Sequence, residues 1–338
     1  MNLKKLRGIL LNVAKLLFAG GLIYYLVSQD KLDVQAVYNA RYNWPYLLAA
    51  FSILFSTVFI CCFRWHILLT GQDVRISAKK IIYLTFVGLF FSAVLPGAVS
   101  GDIIKSAYIA KENPGKKAAV VLTVILDRVL GLFAMIVISL VVFGLFVVTN
   151  NPALQHDSMR QIGIIIALLC GAFLLVFALG LSKRIVNSRF VVKILSIIPF
   201  GRIITGFVDG FHLYRKNLNI LIFALGISFA GIIINCFAFL LLGYALNFHE
   251  LSFFVYLLII PLGMLLIGLP IAPVGIGVGQ AVLLKLFEWS LGKSTTFGAD
   301  IVTLWQALII VIYLSGAFFY LNYKSEMTPA KNEVTETP

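Results

Sequence analysis

Eight nearly unbroken apolar blocks, at roughly 9–28, 44–63, 81–97, 118–148, 161–181, 218–246, 251–270 and 298–321, constrain this chain more than any other feature. A helix that crosses a bilayer needs roughly 20 consecutive, mostly apolar residues. Several of the blocks reach that length, whereas a transmembrane β-barrel would show short segments of alternating polarity. Of 338 residues, 61% are hydrophobic and 12% charged, too little charge to cover a soluble domain of this size. The chain reads as an all-α integral membrane protein with about eight membrane-embedded helical segments.

The placement of charge refines that reading. The 27 basic and 14 acidic side chains give a net charge of +13. The basic ones cluster in the short polar stretches between blocks, which is the pattern of cytoplasmic loops. Membrane orientation and anionic lipid headgroups account for the excess, so nucleic acid is not expected as a partner. Lys4, Lys5 and Arg7 precede a first block with no small-residue cleavage site near its end. That block therefore reads as a retained span with a cytoplasmic N-terminus.

If all eight blocks crossed, the basic stretches 98–117 and 182–216 would both lie outside. Both become cytoplasmic if block 81–97 dips into the membrane and returns to the same side. Leu95-Pro96-Gly97 and Gly101 interrupt the chain there. Exposed irregular backbone is not tolerated in lipid, so such a re-entrant segment is expected to be buried among other helices. Block 251–270 repeats the pattern, ending in Leu269-Pro270 before Pro273, Gly275, Gly277 and Gly279. Paired Gly/Pro-interrupted apolar segments point to two inverted halves. Six blocks then cross, two do not, and both termini lie in the cytoplasm. Residues 182–216 read as amphipathic helices on the cytoplasmic face. Residues 1–323 form the membrane domain, and 324–338 a disordered tail.

The strongest polar cluster is Pro96-Gly97-Ala98-Val99-Ser100-Gly101-Asp102-Ile103-Ile104-Lys105. Pro96, Gly97 and Gly101 break one helix, and Asp102 falls in the first turn of the next with Lys105 on the same face. Freed N–H groups at such a start suit a lipid phosphate. A plain helix cap, with Lys105 facing the cytoplasm, is the alternative. Asp127-Arg128 sits inside block 118–148, and charged residues near membrane depth are functional candidates. Crossed pairs Asp102–Arg128 and Lys105–Asp127 are available to them, either as a site or as a structural lock. In the second half, Pro270, Gly275, Gly277, Gln280, Lys285 and Glu288 are the corresponding candidates. The glycines there lack the βαβ context of a nucleotide loop and suit close backbone packing or headgroup approach.

Cys61, Cys62, Cys170 and Cys236 all lie in apolar blocks without a CxxC pair and read as small core residues. No metal constellation, nucleophile–base pair or cofactor motif is present in the sequence, which weighs against an enzyme.

The segments LPGAVSGDIIKSAYIA, VVLTVILDRVLGLF and LPIAPVGIGVGQAVLL resemble the lysylphosphatidylglycerol synthase transmembrane family, also called flippase-like. The resemblance runs from the first span to about Leu321. It implies movement of lipid between leaflets, with any lipid-modifying chemistry in a separate soluble transferase. The second glycine motif of that family often ends in Arg-Glu, where this chain has Gly279-Gln280. A chain of 338 residues also leaves no room for the soluble synthase domain. The expected function is therefore translocation of a phosphate-bearing membrane lipid in the cytoplasmic membrane. Membership of a lipid-modifying enzyme, as an aminoacyl- or glycosyltransferase or its accessory subunit, is the second reading.

Overall fold

The computed structural model describes residues 17–18, 20–94, 100–151, 154, 157–181, 218–268 and 275–327. No strand occurs among them. The described part of α1 is 20–28, and the helices that follow are α2 (Val34–Asn39), α3 (Trp44–Thr70), α4 (Ala78–Val94) and α5 (Ser100–Glu112). Next come α6 (Lys117–Val148), α7 (Asp157–Leu181), α8 (Leu218–Ala245), α9 (Phe253–Ile267), α10 (Val278–Leu291) and α11 (Phe297–Met327).

Five of these stretches are long and apolar enough to cross a membrane: Val34–Thr70, Pro114–Val148, Asp157–Leu175, Leu218–Ala245 and Phe297–Asn322. They match five of the six expected spans, and part of the sixth, residues 9–16 and 19, lies outside the described residues. Only 22–39% of the most apolar window of each is buried by protein, so the rest of that apolar surface faces outward. Val141, Leu145, Ile164, Leu168, Phe223 and Phe318 are among the exposed side chains. Such a surface is stable in lipid and not in water. The molecule is an all-α, multi-pass membrane protein.

The two blocks expected to dip form the short helices. α4 has 17 residues and α9 has 15. At 1.5 Å per residue they reach about 25 and 22 Å, short of the ~30 Å hydrocarbon core. Each is followed by a second short helix packed against it, α5 on α4 and α10 on α9. Glycine makes the first hairpin possible. A Cβ on Gly101 would collide with the Gly88 carbonyl, and one on Gly88 would come within 2.9 Å of the Gly101 carbonyl. In the second hairpin a Cβ on Gly263 would collide with the Leu283 side chain. Gly275 and Gly277 take φ of +69° and +82°, which a side chain would strain, and turn the chain into α10. Pro96, Gly97 and Pro270 fall outside the described residues, as do 182–217 and 328–338.

The two halves pack by one scheme. α3 lies against α8; α4 lies against α11 as α9 lies against α6; α5 lies on α6 as α10 lies on α11. α3 and α8 correspond and run antiparallel. Asn43, preceding α3, donates to the carbonyl of Ala245 at the end of α8, while Arg64 further along α3 reaches Ser228. The correspondence extends to residues. Gly88 and Gly263 are each the eleventh residue of their helix, and Asp102 and Gln280 each the third. The expectation of inverted halves thus meets a matching arrangement of helices.

α11 extends to Met327, past the boundary read at 323. Cys62, Cys170 and Cys236 are buried, but Cys61 faces outward.

Candidate functional site

α5 begins beside α4 and crosses the first part of α6, which carries Asp102 and Lys105 to Asp127 and Arg128. The Asp102 carboxylate is buried, accepting from Lys105 Nζ at 2.8 Å on one oxygen and from Arg128 Nε at 2.6 Å on the other. Arg128 Nη2 also lies 2.6 Å from that second oxygen. One carboxylate therefore holds two cations from two helices. The sequence expectation of an Asp102–Arg128 pair is met.

The second expected pair is not formed. Lys105 turns back to Asp102, one helical turn away, and its ammonium sits 4.3 Å from the centroid of the buried Trp65 ring. That contact supplies a cation–π interaction in a desolvated setting. Trp65 Nε1 in turn donates to Thr123 Oγ1 at 3.2 Å. Asp127 instead takes a bidentate bond from Arg64, with Nε at 2.7 Å and Nη2 at 2.9 Å. Arg64 Nη1 completes the arrangement by donating to Ser228 Oγ at 2.8 Å. The fork of donors on guanidinium matches a carboxylate's two oxygens, which makes this geometry strong and specific.

Arg64 stands just past the apolar block 44–63, where a charge reads as the start of a loop, yet α3 continues to Thr70 and the Arg64 side chain is only 12% exposed. The signal was present: Trp65, Ile67, Leu68 and Leu69 prolong the apolar pattern past the charge. Gly131 lies beside the guanidinium: a Cβ there would stand 3.5 Å from Arg64 Nη1, an ordinary contact. Within the cluster Arg128 alone is widely open, its side chain 56% exposed against 9–13% for Asp102, Lys105, Arg64 and Asp127.

The second half is polar but uncharged at the corresponding place. Gln280 accepts from the Gly277 N–H at 2.8 Å and donates to Gln306 Oε1 at 2.7 Å and Thr303 Oγ1 at 3.1 Å. Gly279 faces Gln306 and Ile267 closely enough that a side chain would crowd both. Where Arg64 and Asp127 pair, Phe239 and Trp305 stack with centroids 5.8 Å apart. Lys285 and Glu288 do not join Gln280, contrary to their grouping in sequence. They pair with each other at 2.6 Å further along α10, and Lys31 reaches Glu288 at 3.3 Å from the segment after α1. Burial opposes ionisation of Glu288, but the bonds from Lys285 and Lys31 outweigh it and hold the carboxyl below its ordinary range.

The fold and this cluster define a class: a multi-pass helical membrane protein with two broken hairpins, one with a charged cluster at the start of its second helix and the other with an uncharged glutamine network there. The chain belongs to the family described as the lysylphosphatidylglycerol synthase transmembrane region, whose model matches residues 12–316. It is 30% identical over 105 residues to a UPF0104 membrane protein of Pyrococcus horikoshii, covering 30% of this chain and 31% of that protein. It is 26% identical over 157 residues to a UPF0104 membrane protein of Methanocaldococcus jannaschii, covering 46% of each. The chain spans less than half the length of either curated relative. No solved structure matches it.

Proposed function

We propose that this protein moves a phosphate-bearing lipid, a phospholipid or a polyprenyl-linked lipid, between the leaflets of the cytoplasmic membrane. The observation that carries this reading is the cluster of Asp102, Lys105, Arg128, Asp127 and Arg64 at the first broken hairpin. Five charged side chains in a membrane protein are costly unless they serve a polar substrate or lock a structure. Here the cluster borders Gly101 at a helix start, with Arg128 open beside it, which suits an anionic headgroup. The inverted arrangement of the two hairpins supports alternating access to both leaflets. Both termini would lie on the cytoplasmic side, and a separate transferase would supply any modified lipid.

The test is reconstitution into vesicles with a fluorescent phospholipid in one leaflet. Wild-type protein should exchange the label faster than protein-free vesicles, and Lys105→Ala or Arg128→Ala should slow the exchange. A wild-type rate equal to that of empty vesicles, across phospholipid and polyprenyl-phosphate probes, removes the proposal. The second reading, a lipid-modifying enzyme or its accessory subunit, rests on the family's description and would show itself as altered lipid rather than moved lipid.

A further inference from the structure

We propose that the pocket at the turn between α3 and α4 is a phosphate site in its own right, and that it takes the headgroup of an anionic phospholipid from the leaflet on the side read as cytoplasmic. The site stands apart from the buried cluster, and a protein that moves no lipid would keep it.

The turn is built in advance of any ligand. α3 ends at Thr70 and α4 begins at Ala78, so residues 71–77 reverse the chain at one end of a span. Val74 is fully buried in the apolar cluster that holds Trp65, Ile81 and Ile109. His66 Nε2 lies 3.1 Å from the Ile76 carbonyl. Lys116, in the helical turn Pro114–Lys116 before α6, donates to the carbonyls of Asp73 at 2.6 Å and Gln72 at 3.3 Å. Residues 70 and 73–77 then line, with Lys116, a pocket of about 780 Å³, within the usual size of ligand sites. A turn already held in place spares binding the cost of ordering it.

The donors suit a phosphate. Arg75 is exposed, and its side chain makes no hydrogen bond or ion pair among the described residues, so its whole guanidinium fork is open to two phosphate oxygens. Lys116 spends its bonds on neutral carbonyls, which leaves its charge uncancelled. The Ser77 hydroxyl accepts from the Lys80 N–H at 3.3 Å and keeps its own proton to donate. Asp73 is the only acid among the described residues that line the pocket. Lys79, Lys111 and Lys117 stand at the same end of the molecule, where among the described residues only Lys80 pairs with an acid, Glu112. Orientation in the membrane needs basic loops on one side, but it does not need an open arginine and a hydroxyl donor over a preformed pocket. Because α3 leaves the apolar layer at Thr70 and α4 enters it at Ala78, the pocket lies at headgroup depth, which favours a lipid over a free anion.

The experiment titrates the full chain in mild detergent with dioleoyl phosphatidylglycerol, dioleoyl phosphatidylcholine and water-soluble glycerol phosphate. Native mass spectrometry counts bound lipid, and the thermal midpoint reports all three probes. Phosphatidylglycerol should bind about tenfold more tightly than phosphatidylcholine, and Arg75→Gln with Ser77→Ala should remove that gap for one bound lipid. Lys79→Gln with Lys117→Gln removes two charges outside the pocket and should change the gap less than about twofold. All four positions are exposed, so both variants keep the fold. Equal loss in the two variants would assign the binding to diffuse surface charge and overturn the site. Phosphatidylglycerol bound as well by the Arg75/Ser77 variant as by wild type would also overturn it. A gap lost in Lys105→Ala but kept in the Arg75/Ser77 variant would move the lipid to the buried cluster. Glycerol phosphate that raises the midpoint as far as phosphatidylglycerol does would overturn the lipid as the source of the phosphate.

Discussion

Asp102 and Gln280 hold the same place in the two halves. Each is the third residue of its hairpin's second helix, and each bonds to a residue 26 positions further on, Arg128 and Gln306. The first half keeps charge where the second keeps only hydrogen bonds, so the two pairs differ in what their loss should cost. Removing Asp102 leaves Lys105 and Arg128 facing each other without their shared carboxylate, which for buried charge costs about 3–5 kcal/mol. Removing Gln280 strands the buried Gly277 N–H and takes one bond from Gln306, at roughly 1–3 kcal/mol for the stranded donor. Asp102→Ala should therefore destabilise the protein in detergent at least as much as Gln280→Ala, by thermal or denaturant unfolding. The reverse order would mean that solvent reaches the charged cluster freely.

The Arg64–Asp127 bond joins α3 to α6 and, through Ser228, to α8. Guanidinium geometry is essential to that three-helix junction, since lysine has no fork to match. Arg64→Lys should lose most of the stability that Arg64→Gln loses. In a double-mutant cycle, Arg64→Gln and Asp127→Asn should couple by about 1–3 kcal/mol, because the first loss already strands the partner. Additive effects in that cycle would show that the two side chains do not interact in the folded protein.

The sequence carried the membrane class, the two broken segments and the Asp102–Arg128 pair for separate physical reasons. Span lengths follow from bilayer thickness, and the broken segments follow from basic loops that must share a side. Asp102 and Arg128 were the nearest opposite charges on adjacent elements. Arg64 was missed because a charge at the end of an apolar block resembles a loop boundary, and only helix continuation to Thr70 reveals its depth. Trp65 was missed because an aromatic residue in an apolar run carries no sign of the ammonium above it. Lys285 and Glu288 were grouped with Gln280 by closeness in sequence. Yet they lie five and eight residues along the helix and point to a different neighbour, Lys31.

Gly101 and Gly115 differ in what surrounds them, although both lie near the first hairpin. A Cβ at Gly101 collides with the Gly88 carbonyl, which is backbone and has no rotamer to yield, while nothing lies within 4 Å of one at Gly115. Overpacking of that kind typically costs about 1–3 kcal/mol and shifts the helices apart. Gly101→Ala should lower thermal stability in detergent and loosen Asp102 from Arg128, whereas Gly115→Ala should change little. Equal stability of the two variants would show that α4 and α5 pack less closely than described.

Lys31 ties the segment after α1 to the far end of α10 through Glu288, beside a small apolar contact of Leu26 and Leu32 with Leu284 and Ala299. Because the bonds from Lys285 and Lys31 lower the Glu288 ionisation point in the folded protein, the folded state favours the carboxylate more than the unfolded chain does. Its contribution is complete above the ordinary glutamate range and fades as pH falls through the lowered folded value. Acidification should thus release the α1 segment from α10 before it unfolds the membrane helices, read as faster amide exchange around residues 26–33. Lys31→Ala should show that faster exchange already at neutral pH, and Glu288→Gln should make it insensitive to acid. Exchange that stays slow in both variants would assign the attachment to the leucine contact alone.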